Sequence, residues 1–202
     1  AGAHLPDHRV LQRQAVEVEL RQLVLALFGE VSLALGLDQI AMDHVLAMLK
    51  GAMDELRIGS PAYLSTDIGP LIDRQACEHI NAHIAALRVN HPVYQITLPD
   101  VAKHGSFVPP TLIELNHLGE LRQEIFGPVL HVIRYRNSVD GYAALAAAIY
   151  QTGYALTMGI HTRIDDLVLR ALGNTCGIGY AGNLYINRSM IGAVVGVQPF
   201  GG

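Results

Sequence analysis

The sequence has no tryptophan and little positive charge. Its 202 residues include 14 Lys and Arg against 18 Asp and Glu, a formal net charge of −4. Proteins that bind nucleic acid neutralise phosphates with clustered Lys and Arg. The basic residues here are few and scattered along the chain, so we expect no nucleic-acid partner.

Cysteine is also scarce. The two cysteines, Cys77 and Cys176, are far apart in the sequence, and such a pair makes no disulfide framework. This usage fits a reducing compartment, and we expect a cytoplasmic protein. Neither cysteine has the electropositive, partly exposed setting of a reactive thiolate: Cys77 is expected in the middle of a helix and Cys176 at a helix end. We interpret both as structural.

A hydrophobic run long enough to cross a membrane is missing as well. The most apolar stretch, residues 23–37, reads LVLALFGEVSLALGL and contains Glu30 and two glycines. A spanning helix needs about 20 apolar residues, and a signal peptide would add a basic flank and a small-residue cleavage site. We therefore expect no membrane span and interpret the stretch as buried core.

The spacing of apolar residues divides the chain into a helical part and a part in which strands alternate with helices. Apolar residues at helical spacing predict helices over 10–28, 42–56 and 70–89, the last with Pro70 in its first turn and Ile72, Ala76, Ile80 and Ile84 on one face. After His91 come five short runs typical of strands, with helical stretches predicted over 118–125, 138–150 and 164–172. The runs are VYQITL, SFVPPTLIEL, VLHVIRYR, ALTMGIHT and AGNLYINR.

Short, apolar strands that alternate with helices are typical of crossover units. The sequence therefore predicts an α/β fold of three layers, with a mostly parallel open sheet and helices on both faces.

Two local patterns resemble binding motifs but lack the required context. Residues 177–182 spell G-x-G-x-x-G, yet the dinucleotide fingerprint follows a strand and opens a helix, whereas these glycines follow a predicted helix and precede a strand. We interpret them as a helix-to-strand turn. His79 and His83 are one helical turn apart, but zinc needs two further ligands. We interpret them as a surface pair and predict no metal site.

The stretch QEIFGPVLHVIRY, residues 123–135, leaves two interpretations open. Glu124 to Pro128 could be a helix end followed by a strand. The alternative is a cofactor contact, because a carboxylate accepts hydrogen bonds from ribose hydroxyls and an aromatic ring packs against a flat ring.

These segments resemble a known family. EIFGPV resembles the cofactor-contacting segment of the aldehyde dehydrogenase superfamily. Three further stretches are similar to its L-glutamate γ-semialdehyde (1-pyrroline-5-carboxylate) dehydrogenase branch, as in the dehydrogenase module of bifunctional proline-utilisation flavoenzymes. They are ELRIGSPAYLSTDIGPLID, GSFVPPTLIEL and AGNLYINRSMIGAVVGVQPFGG. The resemblance covers residues 39–202.

The resemblance implies a set of binding residues. By family, Glu124 binds the nicotinamide ribose of NAD and Phe126 packs near the nicotinamide. The backbone amides of Gly192 and Ala193 hold the α-carboxylate of the semialdehyde, and Phe200 lines its aliphatic part. The implied reaction is the NAD-dependent oxidation of L-glutamate γ-semialdehyde to glutamate in proline catabolism.

The family nucleophile is absent from the expected position. The family's Gly-Gln-Arg-Cys-Ser stretch would fall near Gly29, where the sequence has no cysteine. Residues 1–38 form a divergent, helical N-terminal segment, and residues 39–202 are a catalytic-domain-like region that we expect to be truncated at its C-terminus. Most of the family's NAD-binding domain is also missing from these residues.

We therefore expect an inactive isolated chain with weak or no NAD binding. Two alternatives stay open: a relic of a frameshift or truncation, and a structural or oligomerisation domain without catalysis.

Self-association is the first expectation that can be tested. A catalytic domain that lacks its neighbouring domain would expose a large apolar surface, so we expect a homodimer. Light scattering on the purified chain should then give about twice the 21.8 kDa chain mass. A monomer at all accessible concentrations would contradict this expectation.

Overall fold

The computed structural model describes residues 32–35, 39–136, 138–153, 157–161 and 182–187. The predicted helices over 10–28 and 164–172 lie outside the described residues. In the described part, the elements are β1 (Ser32–Leu35), α1 (Gln39–Asp54), α2 (Arg74–Arg88), β2 (Val93–Gln95), β3 (Thr111–Leu115), β4 (Val129–Arg134), α3 (Val139–Thr152), β5 (Thr157–Ile160) and β6 (Asn183–Ile186). All five runs predicted as strands contain one, and the α/β class is confirmed.

The strands form two sheets. The first has the order β1-β4-β3-β2, and the second pairs β5 with β6 in parallel. The sequence predicted mostly parallel strands, but β2 is an antiparallel edge strand with Val93 opposite Ile113. The chain between β2 and β3 contains only the 3₁₀ turn Asp100–Ala102. A parallel pair usually needs a helical crossover, which this connection lacks, and an antiparallel edge strand is common on parallel sheets.

Helix α2 begins four residues later than the sequence predicted. The side chain of Asp73 accepts a hydrogen bond from the Ala76 N–H at 2.7 Å and caps the first turn, as N-terminal Asp residues commonly do. Pro70 therefore precedes the helix. Ile72, predicted on the buried face, is 95% exposed, whereas Ile80 and Ile84 are buried as predicted.

The described residues fall into two compact units. The first contains residues 43–114 and 125–131. Its core is formed by the apolar faces of α1 and α2 and by the inner positions of the strands, since a close-packed interior excludes water from these side chains. Its most buried members include Leu49, Met53, Ile80, Val108, Leu112, Ile113 and Leu130.

The second unit contains residues 33–42, 115–124 and 132–202, of which the described part includes α3, β5 and β6. Tyr142 and Ala146 of α3 are buried, and the half-buried apolar residues packed against them are Tyr135, Met158, Ile160 and Leu184. Helix α3 starts after Ser138, whose Oγ accepts from the Gly141 N–H at 3.1 Å. It ends at Gly153, where a φ of +74° favours glycine.

One predicted helix is wrong. Residues 118–125 form only the 3₁₀ turn Leu118–Glu120. The Glu120 carboxylate accepts from the backbone N–H of Asn116 at 2.9 Å, and Leu121 then takes an extended conformation with ψ 94°. The chain therefore reaches residue 124 without helical structure. No helix in the described part of the chain is both long and apolar enough to span a membrane.

Candidate functional site

The structure describes two of the predicted binding residues, Glu124 and Phe126. Gly192, Ala193 and Phe200 lie outside the described residues, as does the Gly29 position where the family nucleophile would fall. Gly182, the last residue of the glycine-rich stretch, directly precedes β6, as a turn into a strand requires. The first glycines of that stretch lie outside the described residues.

Glu124 and Phe126 both point to solvent from one segment of chain. Glu124 is exposed and Phe126 is 62% exposed, whereas Ile125 between them is only 5% exposed. The structure has no helix at these residues, so the segment is not the helix end considered from the sequence. It is held by buried Ile125 and exposes a carboxylate before it and an aromatic ring after it.

Two tight turns, centred on Phe126 and Pro128, lead into β4. The Gly127 N–H donates to the Ile125 carbonyl at 3.0 Å, and the Val129 N–H donates to the Gly127 carbonyl at 2.7 Å. Bonds between residues two apart close the smallest turns of the backbone. The Pro128 carbonyl accepts from the Thr111 N–H at 2.9 Å, which joins the segment to the beginning of β3.

Glycine at position 127 allows the close approach of α2. A Cβ built there would clash with Cδ1 of Ile80 and lie 3.7 Å from Cδ2 of Leu71. Ile80 is only 2% exposed, so it has little room to move away. Any side chain at position 127 would have to displace α2 or the turn.

A buried histidine lies close behind this turn. His131 on β4 is 3% exposed, and its Nε2 lies 2.9 Å from Nε2 of His83 on α2. The rings meet edge to face at 81°, with centroids 5.1 Å apart. One Nε2 therefore carries the hydrogen and donates, and the other accepts. His83, interpreted from the sequence as half of a surface pair with His79, faces His131 instead.

Burial keeps both imidazoles neutral near neutral pH. Desolvation, with a smaller contribution from His83, lowers the pKa of His131 to about 4. Desolvation also lowers the pKa of His83, with a smaller contribution from His79. Within the described ranges, no group of three or more His, Cys, Asp or Glu side chains could hold a metal ion.

Cys77 has the properties of a structural thiol. It is buried and is the fourth residue of α2, not a mid-helix residue, because the helix begins at Arg74. Burial raises the pKa of its thiol, and the charge of Asp73 raises it further. Cys77 therefore carries little of the thiolate that a nucleophile needs. Cys176 lies outside the described residues.

Comparison with known proteins adds the family context. Residues 35–202 match the model of the "Aldehyde dehydrogenase family". The bifunctional protein PutA of Klebsiella aerogenes is 51% identical over 82% of this chain, which spans 13% of PutA. A crystal structure of a Bradyrhizobium japonicum PutA mutant is 38% identical, with a TM-score of 0.76 over 92% of this chain and 18% of that one.

A second solved relative contains bound NAD. The 1-pyrroline-5-carboxylate dehydrogenase from Thermus with bound NAD is 27% identical to this chain. Its TM-score is 0.73 over 92% of this chain and 35% of the Thermus chain. The sequence thus spans well under two thirds of each of these relatives.

The buried histidine makes the stability of the protein depend on pH. Because the pKa of His131 is about 4 in the folded state and about 6.5 when unfolded, its contribution is complete above pH 6.5 and is lost as the pH falls towards 4. Urea unfolding should therefore show a loss of up to about 3 kcal/mol in the free energy of unfolding over this window. In His131→Gln most of this dependence should vanish, and in the exposed control His44→Gln it should remain. An unchanged pH dependence in His131→Gln would contradict the assignment.

Proposed function

Because the chain belongs to the aldehyde dehydrogenase family, we propose that residues 39–202 are the part of an L-glutamate γ-semialdehyde dehydrogenase that contacts both the nicotinamide end of NAD and the substrate. The similarity to PutA and to 1-pyrroline-5-carboxylate dehydrogenase supports this branch of the family. The reaction proposed for the whole enzyme is the oxidation of the semialdehyde to glutamate in proline catabolism.

The observation that carries the proposal is the exposed pair on the anchored segment. A Phe ring that is 62% exposed offers apolar surface, and its burial by a partner would be favourable. The nicotinamide ring suits it because aromatic rings pack against flat partners. The exposed carboxylate of Glu124 has the acceptor oxygens that two ribose hydroxyls require. The chemistry of both residues thus fits NAD, which accepts a hydride when bound.

The substrate contacts are proposed from the resemblance. Gly192 and Ala193 would offer backbone N–H groups to the α-carboxylate of L-glutamate γ-semialdehyde, since small residues let an anion approach the backbone closely. Phe200 would pack against the aliphatic part of the same substrate. These roles explain why a substrate with a charged end and an apolar middle would suit this region.

We propose that these 202 residues do not catalyse the oxidation by themselves. The family mechanism needs a thiolate that attacks the aldehyde, and the sequence has no cysteine near Gly29. Cys77 is buried, with a raised thiol pKa. A structural or oligomerisation role is the alternative, and so is descent from a frameshifted or truncated gene. Exposed side chains such as Leu64 and Ile72 support the proposed homodimer.

Turnover by the purified chain is the direct test. With L-glutamate γ-semialdehyde and excess NAD, we expect no NADH above the blank, because losing the nucleophile of a covalent mechanism costs about 10⁶ in rate. Turnover at a normal rate would contradict the proposal. The Cys77→Ala and Cys176→Ala variants would then show which thiol had been recruited.

Cofactor contact can be tested separately from turnover. Saturation-transfer NMR detects weak binding, and we expect transfer from the chain to the nicotinamide protons of NAD. The transfer should be lost in Phe126→Ala and weakened in Glu124→Gln, which would lose charge-assisted hydrogen bonds. The transfer should persist in Tyr150→Ala, a matched control that removes an exposed aromatic residue elsewhere, in α3.

Two results would contradict the proposed contact with NAD. Equal transfer in Phe126→Ala and Tyr150→Ala would show that the aromatic ring of the segment does not contact the cofactor. No transfer from the unmodified chain to NAD would show that the segment does not bind NAD by itself.

A further inference from the structure

Helix α2 contacts the chain around β4 at two places one helical turn apart. Ile80 occupies the space beside Gly127, immediately before the strand. His83, three residues further along the same helix, contacts His131 within the strand at 2.9 Å. Residues three apart lie on the same helical face, so a single face of α2 makes both contacts. All four residues belong to the first compact unit.

We propose that the His83–His131 pair is a positioning pair: it seats α2 on β4 and, through Ile80 and Gly127, fixes the backbone from which Phe126 projects. The pair contacts neither the proposed cofactor nor the proposed substrate. Its role is to hold the support of the Phe126 ring in one place. The inference deepens the proposed function, because it gives the pair a purpose at the cofactor segment.

The Ile80 contact alone would leave the helix less well fixed. An apolar contact is non-directional, so it favours closeness without selecting one position along the strand. A hydrogen bond between ring nitrogens at 2.9 Å requires both distance and orientation. The edge-to-face arrangement of the rings adds a second geometric requirement. Together they fix where α2 lies along β4, and therefore where Ile80 meets the turn.

Protonation would break this arrangement in a defined way. The bond exists only while at least one of the facing nitrogens lacks a hydrogen; if both rings are imidazolium, N–H faces N–H and two positive charges repel. Among the described residues, the titratable groups that act on the pair are His79 of α2, which acts on His83, and His83 itself, which acts on His131 from across the contact. Burial disfavours both charged forms, so the pair stays intact near neutral pH and separates in acid.

A single fluorophore at position 126 can report the protonation of the His83–His131 pair. The sequence has no tryptophan, so Phe126→Trp places the only indole of the protein on the segment. We expect its emission maximum to shift as the pH is lowered from 7 towards 4, while the far-UV circular dichroism stays unchanged. The shift should disappear in Phe126→Trp combined with His131→Gln or His83→Gln, because the titrating contact is gone.

A control probe separates a local effect from a general one. Tyr150→Trp places an indole at another exposed aromatic position, in α3, and its emission should not follow the same transition. If the double variants do not fold, NMR titration of the histidine ring protons in the unmodified chain replaces them. The Phe126 ring resonances should then shift with the same midpoints as His83 and His131.

Two results would overturn the inference. One is emission at position 126 that stays constant while His83 and His131 titrate. The other is a shift of the emission maximum that coincides with the loss of circular dichroism. The pair would then contribute only to overall stability. Because no step of the experiment uses NAD, a chain that fails to bind the cofactor but shows the local transition would retain this inference and lose only the proposed function.

Discussion

The close approach of α2 to the turn at Gly127 is the constraint on which the described site depends. Ile80 fills the space that any side chain at position 127 would need. The helix and the turn therefore cannot move independently of each other. The backbone bonds of the turn then direct the chain into β4. The outward direction of Phe126 follows from this arrangement, because Ile125 is held on the buried side.

This arrangement gives the segment the character of a preformed surface. A rigid support lowers the entropy that a ligand must remove on binding, and a ring held in water needs no rearrangement to meet a flat partner. In the proposed function this segment orients a cofactor, whereas the described thiol, Cys77, is buried and takes no part in that contact.

Local patterns predicted much of the fold, and the errors have both local and distant causes. The strands were recognisable as apolar runs between Pro, Gly and Asn, and the roles proposed for Glu124 and Phe126 came from the resemblance of the EIFGPV motif. The helix over 118–125 was wrong because the backbone becomes extended at Leu121, directly after a single 3₁₀ turn. His131 was visible only as one polar residue in an apolar strand. Its partner is 48 residues away, and single-sequence periodicity carries no information about such a pair.

The edge strand β2 has a consequence for how copies of the chain can meet. An open strand edge exposes N–H and C=O groups that another chain can pair with, which is a common origin of aggregation. Here the edge is three residues long and is preceded by Pro92, which has no N–H to donate. Such a short edge supports only a few intermolecular backbone hydrogen bonds. Extension of the sheet into a fibre is therefore disfavoured at β2.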